Sequence, residues 1–364
     1  MAASFVRSFD ASPVPYPLSP EFMQAIVKEK RAPGLTVKSV PKPTPGPGEV
    51  LIAVRHAGVC GTDLHIADWD HWAEGRIKPP IVVGHEFAGE IQGLGEGVTG
   101  LRVGQLVTAE GHIVCGHCLQ CRTGNSHICK NTRIIGVDRD GAFAEYITMP
   151  TSNVLTLSGI PTEIGAIMDP MGNAFHTVLT AEIPGSTVFI VGCGPIGCFA
   201  VGIARAAGAT KVIASDVNPK RLALAEQMGA HVVINAARED VVKTVIAETG
   251  NEGADVVCEM SGVPSALHQA FASVRLGGRV QLLGIPKGDV PINFADEIIF
   301  KGITIYGVIG RKMYQTWHQM RRYLTAGQFD PRPVITHKFP LAKIEDALAA
   351  IRSGDAGKVI LEIV

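Results

Sequence analysis

The sequence predicts an α/β protein in which a doubly wound parallel sheet is inserted in a β-barrel domain. Up to residue 173, short alternating apolar segments are separated by Pro and Gly clusters, a pattern typical of an antiparallel barrel or curled sheet. From Ser186 onward, apolar strands alternate with amphipathic helices, which indicates βαβ units. Because the chain has 364 residues, of which 46% are hydrophobic, it contains enough apolar material for two cores.

These patterns divide the chain into four segments. We expect a leader over residues 1–22, an all-β domain over 23–173, a nucleotide-binding domain over 174–315 and a return to the first domain over 316–364. The leader is rich in Pro and Ser and has little periodicity, so we interpret Met23 as the native start and the leader as an artificial addition before it. A transit peptide is the alternative interpretation, since a basic residue and several Ser precede the first acidic one.

Charge and hydropathy narrow the classes of partner. The chain has 33 basic and 34 acidic residues with no long run of either sign, so we expect no nucleic-acid partner. The only long uncharged run, residues 186–204, is interrupted by several Gly and a Pro and has a strand-turn-helix pattern. We therefore interpret its apolarity as burial in a core and expect no membrane partner.

A glycine-rich turn at Gly192–Gly197 predicts a dinucleotide site. It follows a predicted strand and opens a predicted helix, where glycines allow close approach to a pyrophosphate and the helix N-terminus favours its charge. An ordinary glycine turn is the alternative. Asp216 ends the next strand, where a carboxylate can accept hydrogen bonds from the adenosine ribose. That charge disfavours a 2′-phosphate, so we expect NAD rather than NADP, a preference that Lys220 and Arg221 weaken.

Four cysteines in one loop predict a structural zinc site. The spacing C-x2-C-x2-C-x7-C is dense enough to surround one zinc ion, and its members are Cys115, Cys118, Cys121 and Cys129. The alternatives are a disulfide pair, which the missing secretion signal disfavours, and an iron–sulfur cluster. We interpret three neighbouring histidines as solvated loop residues: His112, His117 and His127. The remaining cysteines of the second domain are interpreted as packing residues: Cys193, Cys198 and Cys258.

A second set of ligand types lies earlier in the chain. Cys60, His85 and Glu86 offer a thiolate, an imidazole and a carboxylate, which a catalytic zinc ion takes while one position stays open for water or substrate. Thr62 and His65 lie beside them and could move a proton. The alternative is that these residues are an ordinary buried Cys and ordinary hydrogen-bonded histidines.

Together these motifs resemble the zinc-dependent medium-chain alcohol dehydrogenases over residues 23–364. The resemblance implies a GroES-like barrel around a Rossmann sheet. Within the family, the chain is most similar to members that oxidise L-threonine, on these segments: Cys115–Cys118, Cys129–Thr132, Asp140–Tyr146, Asp169–Thr177, Glu259–Gly262, Lys301–Gly302 and Ile335–Pro340. One departure is Met171, where Phe is usual and which we expect near the substrate pocket.

The resemblance also implies residue roles. Cys60, His85 and Glu86 would hold the catalytic zinc. Asp169 would be either an alternative zinc ligand or a nearby carboxylate that contacts the ligands and not the zinc. Thr62 and His65 would relay the substrate proton to solvent. NAD would be bound by Gly192, Gly194, Ile196, Gly197, Asp216, Arg221, Leu283, Gly284, Ile285, Val308 and Ile309.

Three functional hypotheses follow. The first is NAD-dependent oxidation of L-threonine to 2-amino-3-oxobutanoate by a cytoplasmic homotetramer with one catalytic and one structural zinc per subunit. The second is oxidation of a polyol or of 2,3-butanediol, and the third is a non-enzymatic zinc- or nucleotide-binding protein. The ligand and relay residues argue against the third, because a protein without catalysis has no need of them. Arg311, with Asp169 or Glu110, is a candidate to bind the charges of the substrate.

Overall fold

The computed structural model describes residues 21–363. The predicted leader therefore lies outside the described residues up to position 20, and the first strand already begins at Phe22. The strands in these residues are β1 (Phe22–Lys28), β2 (Thr36–Pro41), β3 (Glu49–Val59), β4 (Ile81–Val82), β5 (Glu86–Leu94), β6 (Leu106–Ala109), β7 (His112–Ile113), β8 (Arg133–Ile134), β9 (Tyr146–Pro150), β10 (Val154–Thr156), β11 (Thr187–Val191), β12 (Lys211–Asp216), β13 (Val232–Asn235), β14 (Ala254–Glu259), β15 (Val274–Leu282), β16 (Thr304–Gly307), β17 (Ile335–Pro340) and β18 (Lys358–Glu362).

The helices of the same residues are shorter on average in the first half. They are α1 (Gly61–Asp68), α2 (His71–Arg76), α3 (Leu119–Arg122), α4 (Thr162–Gly165), α5 (Met168–Leu179), α6 (Pro195–Ala206), α7 (Pro219–Gln227), α8 (Val241–Glu248), α9 (Pro264–Ser273), α10 (Gln315–Thr325) and α11 (Ile344–Arg352). Single 3-10 turns occur at Ser126–Ile128, Thr151–Asn153, Arg332–Val334 and Leu341–Lys343, and a π-helical turn at Phe294–Ile299. Within residues 21–363, no helix is long and apolar enough to cross a membrane.

The barrel is built mainly from one seven-stranded sheet. Its strands lie in the order β10-β6-β5-β3-β18-β17, and β9 also pairs with β3. β18 runs antiparallel to β3, so the C-terminal part of the chain joins the sheet of the first domain. A smaller sheet, β2-β1-β4, covers the same apolar core. The expected β-barrel is confirmed.

The second sheet contains six parallel strands in the order β13-β12-β11-β14-β15-β16. In chain order this is 3-2-1-4-5-6, the arrangement of dinucleotide-binding sheets, and it confirms the predicted doubly wound fold. Apolar residues fill one core on each face of the sheet. The strand order reverses between β11 and β14, so a crevice opens beside the carboxyl end of β11.

Helix α5 connects the two domains, and the predicted boundary at residues 173/174 falls inside it. Most of its residues are buried, because one face packs against α6 and another against α10. Its sequence has apolar residues at helical spacing but a weak helix propensity, because it contains a Pro, a Gly and several short polar residues. Tertiary packing rather than local propensity therefore fixes this helix.

Candidate active site

Two adjacent strands bring the predicted ligands together. β3 ends at Val59 and Cys60 is the N-cap of α1, while β5 begins with Glu86 opposite Gly58 of β3. The turn at Cys60 is closed by Asp63, whose Oδ2 accepts a hydrogen bond from the backbone N–H of Cys60 at 2.9 Å. An acidic residue at this helical position is a helix-start signal.

The preceding turn is equally restricted. Gly84 has φ 90°, and a Cβ atom at this position would lie 2.1 Å from the ring of Phe143. Only glycine fits both conditions, so the Gly84-His85-Glu86 run directs His85 and Glu86 to the interior.

The ligand atoms of Cys60, His85 and Glu86 lie within 4.8 Å of one another. His85 and Glu86 are buried, and Glu86 Oε1 has no hydrogen-bond partner among the described residues. His85 Nδ1 faces Asp63 Oδ1 at 3.8 Å. A buried carboxylate oxygen without a partner is costly unless a cation binds it. The donor set and this unpartnered acceptor therefore fit a zinc ion.

The electrostatics of this cluster favour a cation. Burial alone would lower the pKa of His85, but Asp63, Cys60 and Glu86 outweigh it and raise that pKa to about 10. Burial raises the pKa of Asp63 to about 6. The anionic groups thus attract positive charge to the position between them.

A buried lysine completes the surroundings of Glu86. Lys358, from β18, lies 2.5 Å from Glu86 Oε2 and donates a hydrogen bond to the carbonyl of Val59 at 2.8 Å. The sequence did not single this residue out, although a Lys at the start of an otherwise apolar strand is a detectable signal. Lys358 links the C-terminal strand directly to a predicted zinc ligand.

The predicted relay residues lie on one side of α1. Thr62 Oγ1 is 3.8 Å from Cys60 Sγ, and His65 follows three residues later on the same helical face. Among residues 21–363, no direct hydrogen bond joins Thr62 to His65. His65 Nδ1 instead lies 2.5 Å from Asp70 Oδ2. The imidazole is half exposed, at the edge of the site.

Arg311 lies at the centre of a buried ionic network. Its guanidinium donates two hydrogen bonds to Glu110, at 2.9 and 2.5 Å, and one to Asp169 Oδ1 at 2.7 Å. Trp317 Nε1 donates to Glu110 Oε2, which also accepts from Arg311 Nε, at 2.7 Å. Arg311 outweighs the effect of burial and holds the pKa of Glu110 well below its usual range. Arg311 and Glu110 therefore neutralise each other. Neither is free to bind the carboxylate or ammonium of the substrate, which is the role expected of them from the sequence.

Asp169 belongs to this network and also faces the ligand cluster. Burial raises the pKa of its carboxyl, and Glu86 adds to the rise, although Arg311 opposes it. Its second oxygen, Oδ2, has no hydrogen-bond partner among the described residues. Asp169 groups with Glu110 and His112 rather than with Cys60, so Glu86 is the carboxylate nearest to the predicted zinc.

The four-cysteine loop has the geometry of a tetrahedral metal site. Three sulfur–sulfur distances are 3.5 Å (Cys118–Cys121), 3.8 Å (Cys118–Cys129) and 3.5 Å (Cys115–Cys129). The edge of a zinc–sulfur tetrahedron is about 3.8 Å for bonds of about 2.3 Å. Backbone donation from His117 lowers the pKa of Cys115 to about 5. All eight cysteines of the described residues are free thiols, as a metal site requires and a disulfide pair does not.

The cofactor residues fall at the carboxyl ends of the parallel strands. Gly192, Gly194, Asp216 and Arg221 line a cavity of about 320 Å³ beside β11, β12 and β14. Asp216 Oδ2 accepts a hydrogen bond from the backbone N–H of Cys193 at 2.8 Å, which fixes the carboxylate against the glycine turn. This cavity has the position expected for the adenosine end of a dinucleotide.

The other predicted cofactor residues do not line this cavity but follow the glycine turn or the strands on the far side of β14. Gly197 lies beneath the turn, where a Cβ atom would be 1.9 Å from the Gly192 carbonyl, and Ile196 is half-buried in α6. Leu283, Gly284 and Ile285 follow β15, and Val308 and Ile309 follow β16. Ile285 and Ile309 are exposed apolar side chains, suited to contact a nicotinamide ring. Ser261, which lines the same cavity after β14, was missed, although its place after a parallel strand signals it.

Three side chains differ from their sequence-based interpretation. Met171 is fully buried in the core, so it does not line an accessible pocket. His112 and His127 are half-buried rather than solvated: His112 contacts Glu110 at 2.8 Å, and His127 packs edge-on against His176. The interpretation of Cys193, Cys198 and Cys258 as packing residues agrees with their burial.

Comparisons with known proteins agree with this geometry. The family described as alcohol dehydrogenase GroES-like domain matches residues 46–159, and the family described as zinc-binding dehydrogenase matches residues 195–326. The L-threonine 3-dehydrogenase of Bacillus licheniformis is 49% identical over 340 residues, which are 93% of this chain and 98% of that protein.

Solved structures give the same picture. The alcohol dehydrogenase of Thermus sp. ATN1 superposes with a TM-score of 0.86 at 31% identity, covering 94% of this chain and 100% of that one. The 2R,3R-butanediol dehydrogenase of Bacillus subtilis superposes with a TM-score of 0.85 at 27% identity, covering 93% and 99%.

Proposed function

This chain belongs to the zinc-binding alcohol dehydrogenases, and we propose that it oxidises L-threonine to 2-amino-3-oxobutanoate with NAD as the hydride acceptor. The observation that carries the proposal is the buried cluster of Cys60, His85 and Glu86. Support for the substrate comes from the L-threonine 3-dehydrogenase of Bacillus licheniformis, which is 49% identical over nearly its whole length.

In this proposal the three clustered side chains hold the catalytic zinc. Asp63 places a carboxylate 3.8 Å from His85 Nδ1, and Lys358 forms an ion pair with Glu86. When bound, zinc supplies Lewis acidity, which lowers the pKa of the reacting hydroxyl towards neutrality. The four cysteines of the loop from Cys115 to Cys129 hold the structural zinc.

The second domain positions the hydride acceptor. The glycine turn and the N-terminus of α6 receive the pyrophosphate, and Asp216 receives the adenosine ribose. Ile285 and Ile309 pack on the nicotinamide end. Thr62 and His65 carry away the proton of the substrate hydroxyl, because both lie on one face of α1 and Cys60 is the N-cap of that helix.

An unpartnered buried acceptor in the site favours a substrate with an ammonium group over a neutral diol. Five acidic groups, when ionised, surround the site, and two cationic side chains pair with them: Cys60, Asp63, Glu86, Glu110 and Asp169, against Arg311 and Lys358. A zinc ion would leave one negative charge, and L-threonine, whose ammonium and carboxylate cancel, would add no net charge, so the position of its ammonium decides. Asp169 Oδ2 is the partnerless acceptor for that ammonium. A neutral diol has no ammonium to pair with this buried oxygen.

The proposal extends to assembly and location. We propose a homotetramer, supported by the edge strand β16, whose outer side is unpaired within the described residues. Exposed apolar side chains precede this strand in the chain, such as Phe294 and Phe300. We also propose a cytoplasmic location, supported by the free thiols, which persist in a reducing compartment. Light scattering of the purified protein measures the assembly.

The decisive experiment is a substrate comparison that follows NADH formation. We expect kcat/KM for L-threonine to exceed that for 2,3-butanediol and sorbitol by roughly a hundredfold, because a site built for a charged group rejects the analogue lacking it. Asp169→Asn should lower kcat/KM for threonine more than for butanediol.

The outcome that contradicts the proposal is also specific. Butanediol oxidised faster than threonine would identify a diol dehydrogenase, in line with the structural similarity to the Bacillus subtilis enzyme. Asp240→Asn is the matched control, because it makes the same chemical change at the cap of α8, outside the site.

A further inference from the structure

A tight turn folds Asp70 back onto His65. Helix α1 ends at Asp68, and Trp69 adopts a left-handed conformation with φ 55° and ψ 49°. The backbone N–H of Asp70 then donates to the carbonyl of His65 at 3.3 Å. This turn places Asp70 Oδ2 2.5 Å from His65 Nδ1.

The carboxylate of Asp70 is fixed from its other side as well. Asp70 is the N-cap of α2, and its Oδ1 accepts a hydrogen bond from the backbone N–H of Ala73 at 3.0 Å. The ring of Trp72 lies 6.1 Å from that of His65. Each oxygen of Asp70 therefore has one defined donor, and the direction of the carboxylate is set by the helix rather than by the imidazole.

The position of the hydrogen follows from the chemistry of the pair. The hydrogen bond from the Ala73 amide lowers the pKa of Asp70; burial opposes this effect and His65 adds to it, so the carboxyl is ionised at neutral pH. An ionised carboxylate only accepts hydrogen bonds, so the shared hydrogen is on His65 Nδ1. The neutral ring then presents its lone pair at Nε2.

We propose that Asp70 is a positioning residue, which holds His65 in the Nδ1–H tautomer so that Nε2 accepts the proton released from the substrate. This inference rests on the proposed function. Oxidation of a secondary alcohol breaks one C–H and one O–H bond. The hydride passes to NAD, while the proton reaches His65 Nε2 and then water, which restores the neutral ring.

Asp70→Asn is the informative substitution. Asparagine has a single side-chain oxygen, and this oxygen takes the place of Asp70 Oδ1, which accepts the hydrogen bond from the backbone N–H of Ala73. The cap of α2 is therefore kept. The amide NH2 then faces His65 Nδ1 and donates to it, which favours the opposite tautomer with hydrogen on Nε2.

The first measurement does not depend on activity. Nitrogen-15 NMR of the histidine side chains in the full-length protein, with His65 assigned from the His65→Asn spectrum, reports the tautomer directly. We expect Nδ1–H in the wild-type protein and a shift towards Nε2–H in Asp70→Asn. A wild-type His65 that carries its hydrogen on Nε2 overturns the proposal.

The second measurement is kinetic. Because the pair is partly exposed, Asp70→Asn should lower kcat about two- to fivefold. KM for NAD should stay unchanged, and the loss should vanish in a His65→Asn background, since Asp70 acts only through His65. Asp240→Asn, which caps α8 with its Oδ1 on Lys243 N at 3.0 Å, is the matched control and should leave kcat unchanged.

The remaining outcomes separate this inference from the proposed function. An equal loss from Asp70→Asn in both backgrounds assigns Asp70 a purely structural role and overturns the inference. A wild-type protein that oxidises no alcohol overturns the proposed function, while the NMR measurement still decides whether Asp70 sets the tautomer.

Discussion

Replacing Lys358 by Met tests whether the C-terminal strand supports the ligand cluster electrostatically. Met has a similar shape but no charge, so Glu86 Oε2 would lose a cation that lies 2.5 Å away in a buried environment. Removing one partner of a buried ion pair costs about 3–5 kcal/mol of unfolding free energy. For a domain of about 200 residues this lowers Tm by roughly 6–20 °C.

The loss should depend on zinc. Bound zinc compensates the charge of Glu86, so we expect a smaller fall in Tm for the zinc-loaded protein than for protein treated with a chelator. Burial alone would lower the pKa of Lys358, but Glu86 outweighs it and raises that pKa. A lysine whose pKa is raised on folding stabilises the fold fully below the pKa of the unfolded state, about 10.4. This stabilisation is lost as the pH rises through the pKa of the folded state. Measurement at neutral pH therefore captures the full contribution.

Scanning calorimetry with and without chelator is the assay. The matched control is Lys220→Met, because Lys220 forms an exposed pair with Asp355 at 2.6 Å, with side chains 66% and 44% exposed. Such a pair contributes about 0–1 kcal/mol. The reasoning is refuted if Lys358→Met destabilises the protein no more than Lys220→Met does, or if chelation makes no difference.

Three further predictions concern the metals, the cofactor and the buried network. Metal analysis should find two zinc ions per chain, and an iron signal would contradict this assignment. Cys118→Ser should lose the structural zinc and lower Tm. Cys60→Ser should lose the catalytic zinc and abolish turnover while the fold is retained. Asp216→Ala should raise KM for NAD and relax discrimination against NADP, and unchanged selectivity in that assay would remove Asp216 from the ribose site. Arg311→Met should lower the free energy of unfolding by about 3–5 kcal/mol in denaturant titrations, because it leaves Glu110 buried and unpaired; a selective loss of threonine affinity at unchanged stability would instead restore Arg311 as a substrate ligand.

Local patterns predict most of the fold. The glycine turn, the four-cysteine loop and each βαβ unit after Ser186 are contained within a few tens of residues. Their periodicity reports the structure directly, because side chains in strands and helices face one core. Helix α5 is the exception, since its local propensity is weak and its neighbours fix it.

The environment of the site is less predictable, because its contacts span the chain. Lys358 donates to Val59 across 299 positions, and Arg311 donates to Glu110 across 201. No periodicity of the sequence connects such distant positions. For this reason Arg311 was interpreted as a substrate ligand, although its guanidinium is already paired with Glu110. The ligand types can be inferred from sequence, whereas their charge partners follow only from the tertiary fold.

The place of β18 has a consequence for biosynthesis. This strand lies between β3 and β17, and it delivers Lys358 to Glu86. During translation, Cys60, His85 and Glu86 leave the ribosome long before β18 is made, so the nascent barrel has an open seam beside β3. Zinc or a chaperone that covers this seam would act before the enzyme is complete. The ligand cluster therefore acquires Lys358, its last charge partner, only after the parallel-sheet domain has been synthesised.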